Sequence, residues 1–135
     1  DRASFQNFSF NFDSAAGIIY TVDVTKPKGE KITIISMADG TPFSMDKMYK
    51  VALNSYRGNG GGELLTKGAG IPQDELKGRI LFSTDKDLRY YLMQYIEKKG
   101  VIEPHALGQW KFIPEEWVEP AAKRDYEYLF GKVEK

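Results

Sequence analysis

The residues best suited to chemistry lie in one run, Asn54-Ser55-Tyr56-Arg57-Gly58-Asn59-Gly60-Gly61-Gly62-Glu63. Glycines without Cβ atoms let a backbone come close to a ligand, and their N–H groups can hold oxyanions or hydroxyls. The run is not a phosphate-binding P-loop, because no Gly-Lys-Ser/Thr follows, and its spacing is wrong for a dinucleotide fingerprint. The same glycines would also serve a flexible loop that only turns a corner. Tyr56, within the run, and Phe12 are flat rings of the kind that stack on a nucleobase, at about 1–3 kcal/mol per base. Both would equally suit a core, and no periodicity makes them face one another. Phe12 closes an aromatic run, Phe8-Ser9-Phe10-Asn11-Phe12, in a chain that is 13% aromatic.

Acid–base and metal chemistry have little to work with. His105 is the sole histidine and there is no cysteine. Catalytic metal sites combine several His and carboxylate ligands, so His105 reads as a surface or capping residue and no metal ligand is assigned. Asp23, Asp39, Asp46, Asp85 and Asp87 all stand where turns or helix caps account for them. No catalytic residue is assigned, and the chain alone is expected to be inactive as a hydrolase.

Nineteen basic residues balance nineteen acidic ones over 135 residues, with 41% apolar and 28% charged content. One domain with a real core fits that length. Without a basic excess, nucleic acid and membrane surfaces are not expected partners. No apolar run approaches the roughly 18–20 residues of a membrane span, so no membrane insertion is expected. The opening Asp1-Arg2-Ala3-Ser4 carries neither Met nor a signal-like segment, so the chain reads as a piece of something longer.

The elements that must position these residues are mixed. Gly17–Val24 reads as a strand with Ile18, Tyr20, Val22 and Val24 on one face, and Lys31–Met37 as its hairpin partner across Pro27-Lys28-Gly29. Ala38-Asp39-Gly40-Thr41-Pro42 is a second turn. Met48–Asn54 alternates as a third strand running into the glycines, and Arg79–Phe82 is a short strand candidate. Leu88, Tyr91, Leu92, Tyr95 and Ile96 make one helical stripe within Asp85–Lys99, with Thr84 as N-cap and Gly100 as terminator. Trp110–Ile113 reads as a late strand. Pro120 opens a last helix that buries Tyr126, Leu129 and Phe130. The predicted class is α+β: a mixed sheet with β-hairpins packed against helices.

Taken together, Met48-Tyr49-Lys50-Val51-Ala52-Leu53-Asn54-Ser55-Tyr56 followed by Asn59-Gly60-Gly61 resembles the C-terminal domain of the 5'-nucleotidase family. Phe12, then Ala16-Gly17-Ile18 and Tyr20-Thr21-Val22-Asp23, is similar to that family's upstream pattern. The two turns and the helix from Asp85 follow in the family's order. The resemblance covers roughly residues 5 to 102. The tail from Glu103, with a Trp-x-x-x-Pro extension, looks like the version in gut Bacteroides-type sequences. It implies that residues 1–135 are this C-terminal domain, truncated on its N-terminal side and lacking the catalytic metallophosphatase domain. That absent domain, a partner in cis, would hold two divalent metal ions and do the hydrolysis, while this one binds the nucleoside of the substrate. By motif position, Phe12 and Tyr56 would sandwich the base, and Asn59, Gly60 and Gly61 would contact the nucleoside.

Two departures from the family stand out. The family often has an aspartate on the ribose hydroxyls where this chain has Gly62, with Glu63 one place later as a substitute. The family's phosphate- and base-holding arginines and asparagine would fall before Asp1. The substrates implied are nucleoside 5'-monophosphates, cyclic nucleotides or nucleotide-sugars, and the compartment is exported, periplasmic or cell-surface. A different class stays open: a non-catalytic ligand-binding or interaction module that kept the fold and lost the nucleotide.

Overall fold

The computed structural model describes residues 12–131, so Phe8 and Phe10 of the aromatic run lie outside the described residues. The chain divides into two compact units. The first comprises Asp1–Lys47 with Ala106–Lys135, and the second Met48–His105.

The first unit is built on a three-stranded sheet. Strands β1 (Ile18–Asp23) and β2 (Ile32–Met37) are rich in β-branched residues, which suit a pleated, half-buried surface. They form the expected antiparallel hairpin, with Tyr20 opposite Ile34 and an irregularity between Ile19 and Tyr20. At the hairpin turn the Glu30 amide donates to the Pro27 carbonyl at 3.2 Å, with Gly29 at φ +95, a conformation that glycine adopts without a Cβ clash. Strand β3 (Trp110–Ile113) joins the other edge of β1 in parallel, with Tyr20 beside Trp110 and Val22 beside Phe112. The sheet order is β2-β1-β3.

Tyr20 is the buried centre of this unit. Its ring stacks on Trp110 at 6.0 Å with the planes 12° apart, and Trp110 meets Phe112 edge-on at 5.1 Å. The Ala15 amide donates to the Tyr20 hydroxyl at 3.2 Å, giving the ring's polar end a partner, as a buried phenol requires. The last helix differs from expectation. Helix α3 (Glu115–Phe130) starts five residues before Pro120 and carries that proline inside it. Glu115 and Glu116 occupy the first turn, where carboxylates oppose the positive helix end, and Lys111 pairs with Glu115 at 2.5 Å. These start signals outweigh the hydrogen bond that proline forgoes. Tyr126 and Phe130 are exposed rather than buried, and Leu129 is half-buried.

In the second unit the predicted strand Met48–Asn54 does not form. The alternation is present, but a strand exists only through a hydrogen-bonded neighbour, and among the described residues no strand pairs with this segment. Arg79–Phe82 is also not a strand: Leu76–Arg79 is a 3-10 turn and residues 80–82 are irregular. The first helix, α1 (Ser55–Gly58), is a single turn, followed by a 3-10 turn at Gly61–Glu63 and a π turn at Leu64–Gly68. Helix α2 (Leu88–Lys99) begins later than expected. Asp87, not Thr84, is its N-cap, accepting from the Tyr90 amide at 3.0 Å. Thr84 instead donates to the Lys86 carbonyl. Gly100 ends the helix as expected. The hydroxyl of Tyr91 donates to Asp85 at 3.2 Å; desolvation first, then that carboxylate, holds its proton more tightly than usual. None of the α2 residues is buried. Among the described residues no helix is long and apolar enough to cross a membrane.

Two expectations follow for the first unit. Tyr20→Ala removes its buried ring and should cost about 3 kcal/mol in urea unfolding, toward the low end for an aromatic-to-alanine change. Asp23 and Asp39 each accept two hydrogen bonds, from the hydroxyl and amide of Thr25 and of Thr41, at 2.6 and 2.9 Å. The side-chain bond, then the backbone one, holds each carboxyl below its ordinary value of 3.8. A lowered folded pKa contributes stability above that ordinary value and loses it as pH falls through the folded one. Thermal melts between pH 5 and pH 2 should therefore show acid destabilisation that Asp23→Asn and Asp39→Asn each reduce.

Candidate nucleoside-binding site

The glycine run folds as an ordered loop closed on itself. Asn54 caps α1, its Oδ1 accepting from the Arg57 amide at 2.8 Å. Capping by Asn satisfies one of the amides a helix start leaves orphaned, and it fixes the turn that presents Tyr56. Tyr56 is 57% exposed. From one side it lies over the guanidinium of Arg57, with Cζ 5.3 Å from the ring centroid. Arg57, only 5% exposed, also donates from Nη1 to the Gly61 carbonyl at 3.1 Å.

Gly61 explains why glycine is needed here. A Cβ at that position would lie 2.5 Å from the Tyr56 carbonyl oxygen and 2.6 Å from its ring carbons. The ring and the loop backbone are therefore in direct contact. Gly60, at φ +93, would place a Cβ 2.5 Å from Oε1 of Gln73. Gln73 also donates from Nε2 to the Asn59 carbonyl at 3.1 Å, tying the loop to the chain beyond it. Buried Leu76 lies under the same glycine.

Gly62 and Glu63 both have left-handed backbone, at φ 67 and φ 60. Asp and Asn enter that region more readily than most residues, so the Gly62 position suits the aspartate that the resemblance leads one to expect there. Glu63 turns its carboxylate to Lys67 at 2.6 Å, with both side chains exposed.

Tyr56, Asn59, Gly60, Gly61, Gly62 and Glu63 thus share one loop of the second unit. Phe12 belongs to the first unit. It is 60% exposed and rests against Trp110 at 5.7 Å and Phe112 at 6.3 Å. His105 is exposed, with Nδ1 3.2 Å from the Glu103 carbonyl. Among the described residues no three His, Asp or Glu side chains converge on a common point.

Two residues that hold the loop carry no local signal in the sequence. Arg57 was visible inside the motif, but a charged residue beside glycines reads as solvated, and nothing local announces its burial. Gln73 lies fourteen positions from the loop backbone it holds, beyond any spacing rule.

Residues 3–67 match the family model for the 5'-nucleotidase, C-terminal domain. The chain belongs to the 5'-nucleotidase family as part of its C-terminal domain. It is 31% identical over 121 residues to the trifunctional nucleotide phosphoesterase protein YfkN of Bacillus subtilis, covering 81% of this chain and 8% of that protein. It is 26% identical over 121 residues to a 2',3'-cyclic-nucleotide 2'-phosphodiesterase/3'-nucleotidase of Haemophilus influenzae, covering 78% of this chain and 17% of that protein. The chain therefore spans a small fraction of the relatives it matches. No solved structure matches it.

The close contact at Gly61 predicts a contrast between neighbouring glycines. Gly61→Ala must displace Tyr56 or the loop and should cost about 1–3 kcal/mol in urea unfolding, as overpacking does. Gly58→Ala, with no atom within 4 Å of its Cβ, should stay within about 0.5 kcal/mol of the parent.

Proposed function

We propose that this chain recognises the nucleoside part of a nucleotide for a phosphoesterase. The observation that carries the reading is the Tyr56 ring: a large aromatic left more than half exposed, yet backed by a buried arginine and a glycine backbone. An exposed aromatic platform beside close backbone is what stacking on a flat base requires. Phe12, also exposed, is the second ring in this proposal. Asn59, Gly60 and Gly61 line the sugar side, with Gly62 and Glu63 next to them.

Hydrolysis is assigned to a metallophosphatase domain in cis that holds two divalent metal ions. The described residues gather no ligand set of their own, and the two relatives named as phosphoesterases are many times longer than the stretch they share with this chain. Binding the nucleoside away from the reacting phosphate would position that phosphate at the metals, which is how remote binding energy serves a chemical step. The substrate classes proposed are nucleoside 5'-monophosphates, cyclic nucleotides and nucleotide-sugars, and the compartment is outside the cytoplasm. A second reading, a module that keeps the fold without the nucleotide, is favoured by Gly62 standing where the family often has aspartate.

Quenching of Tyr and Trp fluorescence by adenosine or AMP separates the two readings. Wild type should give a saturable change, and Phe12→Ala and Tyr56→Ala should each weaken binding by about tenfold, the equivalent of one lost stacking contact. A folded sample with no saturable change at millimolar nucleoside would favour the second reading instead. The gene's full open reading frame tests the assignment of hydrolysis: a metallophosphatase domain upstream is the expected result.

A further inference from the structure

We propose that Arg57 is the positioning residue of the nucleoside site, fixing the Tyr56 ring and the glycine loop in one arrangement before any ligand arrives. This rests on the reading of Tyr56 as the base platform and adds to it the group that makes the platform rigid.

The argument begins with cost. An arginine that is 5% exposed has given up most of its water, and burial of a charge is expensive unless it is compensated by close partners. Two contacts contribute to that compensation. Nη1 of Arg57 donates to the Gly61 carbonyl at 3.1 Å, and its Cζ lies 5.3 Å from the centre of the Tyr56 ring. A planar fork that both stacks and donates is particular to arginine; lysine keeps the charge but cannot do both.

The two partners are themselves in contact. Gly61 leaves no room for a Cβ against the Tyr56 carbonyl and ring, so ring, loop backbone and guanidinium form a closed triangle. One face of the ring is turned to Arg57, and Tyr56 nevertheless remains 57% exposed. A ring held this way presents its open surface without the rotamer entropy that a free tyrosine loses on stacking. Lost side-chain freedom costs free energy on binding, and pre-ordering removes that cost.

The test uses the full chain with Arg57→Met, which keeps length and apolar packing, and Arg57→Lys, which keeps only the charge. Hydrogen–deuterium exchange of the Gly60–Leu64 amides reads loop order without ligand, and adenosine titration reads the platform. Arg57→Met is expected to raise loop exchange at least tenfold and to weaken adenosine binding by about tenfold, with Arg57→Lys failing to restore either. Loop exchange in a folded Arg57→Met within twofold of wild type would overturn the proposal, whatever the titration gives. If wild type binds no adenosine, the nucleoside reading fails, while the exchange data still decide whether Arg57 orders the loop. A third measurement needs no variant. In wild type, nitrogen-15 spectra of the Arg57 guanidinium should show slow rotation about its Cζ–Nε bond, and a freely rotating group would likewise overturn the proposal.

Discussion

Both edges of β1 are hydrogen-bonded, and this constraint arranges the rest of the first unit. Antiparallel pairing with β2 on one side and parallel pairing with β3 on the other leave Tyr20 in the middle of the sheet, buried and stacked on Trp110. The parallel partner comes from residues 110–113, far along the chain, so the strand pair closes a long connection that contains the whole second unit. Phe12 is held by the same arrangement, because Trp110 and Phe112, the two rings it touches, stand two residues apart on β3 and so share one sheet face.

The second unit works by a different economy. It has little regular structure around its loop, and its order comes from a few specific contacts: the Asn54 cap, the Arg57 bond to Gly61 and the Gln73 bond to Asn59. Each ties loop backbone to a side chain. Backbone groups that no helix or strand satisfies need such partners, and satisfying them this way leaves the loop ordered and open to a ligand. A glycine-rich segment need not be a flexible one. At Gly61 the missing Cβ is occupied by a ring, and that contact stiffens the loop.

Membership of the 5'-nucleotidase family gives these two units a common context. A domain that recognises part of a substrate has no need to carry the reacting groups.

The sequence by itself determined the local elements whose signals lie within a few residues. The β1–β2 hairpin, the turns at Gly29 and Gly40, the helix ending at Gly100 and the strand from Trp110 all follow from β-branched alternation, turn residues and helix-end signals. The order of motifs also made the family legible. Tertiary structure decided what depends on a distant partner. Met48–Asn54 carries the alternation of a strand, but no strand among the described residues pairs with it and it is irregular. Gln73 shows the reason most plainly: its side chain holds the Asn59 carbonyl fourteen positions away, a contact that exists only once the chain has folded.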